Sequence, residues 1–102
     1  MALILNILIV PLRTRIVMPI TQYAVGSSFS IQCEVEGYPP PTITWFKDDV
    51  EIDTRQSRDP AVLIVNNAQP EDAGSYQCVG RNEFGSGQSY VDITVQGILN
   101  LF

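Results

Sequence analysis

The stretch Asp72-Ala73-Gly74-Ser75-Tyr76-Gln77-Cys78 ends in the second of only two cysteines in this 102-residue chain. The first, Cys33, lies in a run from residue 29 to 35 in which apolar and polar residues alternate, and Trp45 follows it twelve positions later. A period of two places successive side chains on opposite faces of a strand, so one set faces a core and the other faces water. Cys33 is therefore a candidate core residue on a β-strand, and its spacing to Trp45, Tyr76 and Cys78 is the second signal in this sequence.

The spacing of these four positions resembles that of an immunoglobulin domain. Segments 36–48 and 69–74 are similar to the intermediate set (I-set) of that family, and the resemblance covers about residues 15 to 96. It implies a two-sheet Greek-key β-sandwich in which Cys33 and Cys78 form a disulfide beneath Trp45. It also implies that the Tyr76 hydroxyl bonds to the backbone near residues 69–72, which fixes the start of the next strand.

Later parts of the chain show the same alternation and predict further strands. Proline has no backbone donor, so the run Pro39-Pro40-Pro41 ends one strand and another begins near Thr42. The side chains expected to point inward are Ile43 and Trp45, then Leu63 and Val65, then Tyr76 and Cys78, and finally Val91, Ile93 and Val95. Only 44 residues separate the cysteines, which is too few for the two extra strands of a variable-type domain.

Asp72 is the one acidic residue that we assign to the structural core. The assigned core residues are Trp45, Tyr76, Leu63 and Asp72. A buried carboxylate without a partner is costly, so we expect Arg55 or Arg58 to pair with Asp72. The resemblance implies that this pair is structural and binds no ligand.

The length of 102 residues predicts a single domain. The sequence also has an apolar segment at each end. We place the domain at residues 15–96, an apolar N-terminal extension at 1–14 and an apolar tail at 97–102. The first ten residues lack the basic start and cleavage site of a signal peptide and are too short to span a bilayer. The two ends are either boundary residues of a longer chain or adhesive strands that cause self-association.

Composition argues against several classes of function. Six basic and eleven acidic residues give a net charge of −5, which disfavours nucleic acids and anionic membranes as partners. The chain has no histidine, the commonest general base and metal ligand, so we expect neither catalysis nor a cofactor nor a small-molecule substrate. The acidic residues Asp48, Asp49, Glu51 and Asp53 lack the pattern of a calcium loop and predict a solvated turn.

A protein partner is the remaining expectation, either a different protein or a second copy of the chain. Strand alternation directs Phe46, Val79, Arg81 and Tyr90 outward on one sheet, and aromatic residues and arginine are enriched in protein interfaces. We predict that these four residues form the binding face. The alternatives are that Phe46 only covers neighbouring side chains, or that the opposite sheet binds through Val62 and Ile64.

The resemblance leaves two functions open. The first is an extracellular recognition or adhesion domain of a larger protein, which a disulfide between Cys33 and Cys78 favours. The second is an intracellular structural domain of the titin or palladin type, in which the two cysteines remain reduced thiols. The chain contains no Asn-x-Ser/Thr glycosylation site, which shifts the balance slightly towards the second. The state of the thiols separates the two functions.

Overall fold

The computed structural model describes residues 2–4, 7–18, 20–54 and 58–97, with side chains described from residue 10 onward. Its strands are β1 (Ala2–Ile4), β2 (Ile7–Val17), β3 (Gln22–Ala24), β4 (Phe29–Tyr38), β5 (Thr42–Lys47), β6 (Val50–Glu51), β7 (Val62–Val65), β8 (Gly74–Asn82) and β9 (Gly85–Gln96). A 3-10 turn, Pro70–Asp72, precedes β8.

The strands form two sheets that pack face to face. One has the order β1-β2-β4-β7, and the other has the order β3-β9-β8-β5-β6. Neighbouring strands run antiparallel except β3 and β9, which are parallel. The predicted all-β, two-sheet sandwich is confirmed.

The core between the sheets is built from the alternating residues of both. Its buried members are Phe29, Ile31, Cys33, Trp45, Leu63, Ala68, Tyr76, Cys78, Ile93 and Val95. Ile43, Val65 and Val91 pack against this cluster and are partly buried. Every second side chain of a strand points inward, and the inward side chains of the two sheets contact each other in the core.

Strand β2 begins well before the boundary that we predicted at residue 15. It starts at Ile7, and Arg13 and Thr14 pair with Glu36 and Val35 of β4. The predicted boundary therefore falls inside a strand, and part of the apolar extension belongs to the sheet. The backbone of β1 pairs with the start of β2, with Leu3 opposite Leu8. Of the predicted C-terminal tail at 97–102, residues 98–102 lie outside the described residues.

Strand β3 was not predicted from the sequence. Its three residues pair with Thr94, Val95 and Gln96 at the end of β9. Tyr23 stacks on Phe29, with ring centroids 4.4 Å apart and planes inclined by 14°. The stacked pair closes the end of the core where β3 lies beside β9.

A glycine on β8 allows the two sheets to approach closely. A Cβ atom added at Gly80 would lie 2.7 Å from Cγ1 of Val35 and 3.3 Å from Oγ1 of Thr14. Both of these side chains belong to the facing sheet. Any larger residue at position 80 would therefore push the sheets apart.

Candidate protein-binding face

The disulfide joins the two sheets at the centre of the core. Cys33 of β4 and Cys78 of β8 are bonded, with their Cα atoms 6.4 Å apart. Trp45 lies opposite Cys78 on the adjacent strand β5 and is completely buried. Its indole Nε1 donates a hydrogen bond to the carbonyl oxygen of Pro60 at 2.8 Å, so the one polar atom of this buried ring has a partner.

A corner before β8 fixes the direction of that strand. The Tyr76 hydroxyl donates a hydrogen bond to the carbonyl oxygen of Asp72, in the region where the resemblance placed it. Burial of the phenol, followed by the charges of Asp72 and Asp48, raises the pKa of Tyr76 to about 12. The phenol therefore stays protonated and keeps donating at neutral pH.

The structure gives Asp72 a backbone donor in place of one of its two predicted partners, Arg58. Oδ2 of Asp72 accepts a hydrogen bond from the backbone N–H of Gln69 at 2.7 Å, and Arg58 is exposed. Asp72 is only half-buried, and a local backbone donor at the start of the 3-10 turn bonds to its carboxylate. Arg55 lies outside the described residues.

A second set of bonds connects the β5–β6 turn to the same corner. Backbone N–H of Ser75 donates to Oδ1 of Asp48 at 2.9 Å, and backbone N–H of Asp48 donates to the Ser75 carbonyl at 2.8 Å. The Ser75 bond is the main reason that the pKa of Asp48 lies below its ordinary value, with Lys47 assisting. Lys47 Nζ also donates to the carbonyl oxygen of Glu71 at 2.7 Å.

The predicted binding face lies on the outer side of β5, β8 and β9. Tyr90 is 55% exposed, Arg81 is exposed and Phe46 is half-buried. Phe46, Gln77 and Tyr90 lie in one row across the three strands. The structure thus brings three of the four predicted residues together on one surface.

The fourth predicted residue of this face, Val79, is buried and corrects the prediction. It lies outside the inter-sheet core cluster, yet only 9% of it is exposed. It occupies the middle of the central strand β8, in register with Thr44 on one side and Gln88 on the other. Neighbours on both flanking strands leave little of it accessible, so Val79 supports the face from below and does not offer a contact surface.

A hydrogen-bonded set of side chains holds Tyr90 in place. Gln77 Nε2 donates to Oε1 of Gln88 at 2.7 Å and to the hydroxyl oxygen of Tyr90 at 2.9 Å. Our sequence analysis did not include Gln88 in the site, because the bond depends on the cross-strand register. The aromatic ring is therefore pre-positioned on the surface, which lowers the entropy cost of using it in binding.

Comparisons with known proteins identify the family of this chain. A family model described as "Immunoglobulin domain" matches residues 15–82. The chain belongs to the immunoglobulin family. It is 36% identical to human leucine-rich repeats and immunoglobulin-like domains protein 1, over 86% of this chain and 8% of that protein. The chain therefore spans a small fraction of the length of this relative.

Other proteins similar to this immunoglobulin domain include a muscle protein and a solved four-domain structure. It is 37% identical to the muscle M-line assembly protein unc-89 of Caenorhabditis elegans, over 67% of this chain and 1% of that protein. The solved structure of the N-terminal four Ig domains of Dscam1 isoform 1.9 superposes with a TM-score of 0.76 at 28% identity. That match covers 85% of this chain and 21% of the other.

The opposite sheet of the immunoglobulin domain has a different character. Ile64 is 64% exposed and Val62 is half-buried. Arg15 forms an ion pair with Glu34 on the neighbouring strand, where both side chains are largely solvated. Exposed ion pairs of this kind contribute little to stability. Substitutions on this sheet can therefore serve as controls when binding by the predicted face is measured.

The acidic run of Asp48, Asp49, Glu51 and Asp53 lies at the β6 edge of the five-stranded sheet. Asp48 and Asp49 form the two-residue turn between β5 and β6, with φ values of +49° and +68°, as expected for a tight hairpin turn. Within the described ranges, no group of three or more histidine, cysteine or acidic side chains is placed to hold a metal ion. Likewise, none of the described residues forms a helix long and apolar enough to cross a membrane.

Proposed function

We propose that this immunoglobulin domain is a non-catalytic protein-recognition module of a larger extracellular adhesion or matrix protein. The observation that carries the proposal is the outer face of β5, β8 and β9. It combines the exposed Tyr90 and Arg81 with the half-buried Phe46. Tyrosine and arginine often dominate binding energy, and Tyr90 is already held in position by Gln77.

The chemistry of the chain supports a binding role over a catalytic one. The chain has no histidine, and both cysteines are consumed by the disulfide. These residue types most often supply a general base or a strong nucleophile. The proposal therefore assigns the domain no substrate and no cofactor.

The disulfide supports an extracellular setting. Disulfides persist in oxidising compartments, and the bond between Cys33 and Cys78 is formed in this structure. An intracellular structural domain is the second candidate, favoured by the likeness to the M-line assembly protein. Alkylation and mass spectrometry of protein from its native source count the free thiols and so separate the two candidates. A count of no free thiols supports the extracellular candidate, and a count of two supports the intracellular one.

A capture experiment with matched variants tests the binding face. The wild-type chain is immobilised and exposed to an extract of the tissue that expresses it. The test variant combines Phe46→Ala, Arg81→Glu and Tyr90→Ala. The control variant combines Val62→Ala, Arg13→Glu and Ile64→Ala on the opposite sheet. Near-ultraviolet circular dichroism and thermal midpoints verify that both variants fold.

We expect the test variant to lose the proteins that the wild-type chain captures, and the control variant to retain them. Both variants lose one positive charge and gain one negative charge, so a general electrostatic effect would weaken both equally. Undiminished capture by the test variant, with loss in the control, would move the binding site to the opposite sheet.

Self-association through the apolar ends of the chain also stays a prediction. Segment 98–102 lies outside the described residues, whereas the N-terminal apolar segment contributes backbone pairing between β1 and β2. Its test compares the full chain with a chain that spans residues 13–96 and therefore lacks both apolar ends. Loss of self-association in the shorter chain would support this prediction, and equal association of both chains would reject it.

A further inference from the structure

Within the described residues, most of one edge of β9 is unpaired, and this free edge lies beside the candidate binding face. Residues 85–93 of β9 pair with β8, but β3 pairs only with residues 94–96 on the other side. There, Thr94 N–H donates to the Thr21 carbonyl and the Gln96 carbonyl accepts from Val25. Backbone groups alternate along a strand, so those of Ser86, Gln88 and Tyr90 point to the same side. No strand within the described ranges pairs with them there.

This edge lacks the features that usually prevent strands from pairing between molecules. Strand β2, which pairs with β1 only over residues 7–9, contains Pro11 and has a register shift against β4 between Val10 and Arg13. Strand β6 is two residues long and adjoins the acidic turn. Charges, prolines, irregularities and short length all block edge pairing. Residues 85–90 of β9 read Gly-Ser-Gly-Gln-Ser-Tyr, with no charge and no proline.

We propose that the free edge of β9 pairs with β9 of a second copy of this chain, antiparallel and about a two-fold axis at Gln88. In that register Gln88 lies opposite its own counterpart, and Ser86 lies opposite Tyr90 of the other copy. The three residues whose backbone groups point outward then pair with each other across the axis. The two five-stranded sheets then join into one continuous sheet. This inference rests on the proposed recognition function and specifies a second copy of the chain as one partner.

The distribution of charge favours a second copy in this orientation. The acidic residues Asp48, Asp49 and Glu51 lie at the β6 end of the sheet, with β8 and β5 between β6 and β9. Joining two copies through β9 places these acidic margins at the two far ends of the combined sheet. Like-charge repulsion between two chains of net charge −5 is thereby kept small.

Two charged residues on the outer face are also complementary across the axis. Arg81 is in register with Ser86 near one end of β9, and Asp92 lies near the other end. The two-fold axis brings the Arg81 end of each copy next to the Asp92 end of the other. The same pair of opposite charges therefore occurs twice, as a self-complementary interface requires.

Exposed apolar side chains meet at the ends of the paired strands. Phe84, in the β8–β9 turn, and Ile20, just before β3, are each 56% exposed. The added strand runs along the line of β3, so its turn reaches the start of β3 in the other copy. Each Phe84 then lies near Ile20 of the partner, and both lose contact with water on pairing.

Sedimentation velocity of the full chain over a range of concentrations tests the pairing. Gln88→Lys places two like charges at the axis, and Gln32→Lys makes the same change at an exposed position of β4. We expect the wild type to dimerise reversibly, Gln88→Lys to raise the dissociation constant at least tenfold, and Gln32→Lys to leave it within about twofold. A wild-type chain that stays monomeric, or a dimer insensitive to Gln88→Lys, overturns the proposal.

A charge exchange tests the register. Arg81→Asp and Asp92→Arg should each weaken the dimer, and the double variant should recover most of the affinity, because the opposite charges face each other again. Absence of recovery contradicts the two-fold register. A dimer abolished by removing residues 1–9 overturns the β9 route in favour of the N-terminal segment.

The proposed function has a separate outcome. If the wild-type chain stays monomeric while Gln88→Lys reduces capture of another protein, the second-copy proposal fails and the recognition function stands. If the chain neither self-associates nor captures any protein through the candidate face, both fail.

Discussion

The backbone N–H of Ser75 donates a hydrogen bond of 2.9 Å to Oδ1 of Asp48, which joins the β5–β6 turn to the first residues of β8. The Asp48 carboxylate also lies over Gly74, where an added Cβ atom would approach Oδ2 to 2.6 Å. One carboxylate of the acidic run at residues 48–53 is therefore engaged by the protein's own backbone. The bond links the binding face to the corner that orients β8.

This relationship predicts a specific dependence of stability on pH. The pKa of Asp48 is lowered in the folded protein, chiefly by the Ser75 bond, so the folded state binds fewer protons than the unfolded chain near the ordinary aspartate pKa of about 3.9. The stabilisation is present above that pH and is lost as the pH falls below it. Asp48→Asn should flatten the acid side of a plot of urea midpoint against pH.

The control for this prediction is Asp49→Asn, which makes the same change in the same turn and leaves the Ser75 bond intact. Its acid-side slope should stay close to that of the wild type. If both variants change the slope equally, the effect comes from the overall charge of the turn and the assigned bond is not its source.

Tyr76→Phe tests the corner. The substitution keeps the buried ring but removes the hydroxyl that bonds to the Asp72 carbonyl. We expect a loss of about 1 to 2 kcal/mol in the free energy of unfolding. Tyr90→Phe, at an exposed position, should cost less than about 0.5 kcal/mol. Equal denaturant midpoints for wild type and Tyr76→Phe would reject the role assigned to the hydroxyl.

The same tyrosine predicts loss of stability at high pH. Its pKa is raised to about 12 in the folded protein, above the ordinary value of about 10. The folded state therefore holds this proton where the unfolded chain has released it, and the free energy of unfolding falls as pH rises from about 10 towards 12. Tyr76→Phe should reduce this alkaline loss, measured by urea titrations across that range. An unchanged alkaline slope would contradict the assignment.

Gly80→Ala tests the close approach of the two sheets. The new methyl group would lie 2.7 Å from Cγ1 of Val35, and overpacking of this kind costs about 1 to 3 kcal/mol. Gly85→Ala is the matched control, because an added Cβ there meets no atom within 4 Å. Chemical denaturation should therefore separate the two variants. Similar midpoints would show that the sheets adjust at no cost.

Trp45→Ala should destabilise the domain by about 3 to 5 kcal/mol, as for other deletions of large buried aromatic residues. Trp45 is completely buried, and its Nε1 bonds to Pro60. Equilibrium unfolding monitored by circular dichroism gives the difference. A loss below about 1 kcal/mol would mean that the ring contributes little to the core.

Long alternating segments made much of the fold predictable. The residues around Cys33 and those of β8 and β9 each repeat with a period of two over many positions, so the buried face is specified several times. The three residues of β3 are too few for such a pattern. The sequence around Arg13 also gave no sign that β2 continues through the predicted boundary, because its apolar start resembled a separate tail.

The binding face was only partly predictable, for a different physical reason. Alternation tells which side of a sheet a residue faces, but not how much its neighbours cover it. Val79 lies outside the core cluster, yet its position in the central strand buries it. The bonds from Gln77 to Gln88 and Tyr90 depend on the register of β8 with β9, which is set only once the strands pair.

Hydroxyl-radical footprinting of the full chain tests the recognition face most directly. Tyr90 lies on the proposed face and is 55% exposed, whereas Tyr38 lies at the end of β4 in the other sheet and is 49% exposed. The two phenols should therefore label at similar rates in the free chain. When the chain is bound to a captured protein or to a second copy, we predict that labelling of Tyr90 falls while labelling of Tyr38 is unchanged. Protection of Tyr38 with full labelling of Tyr90 would contradict the account.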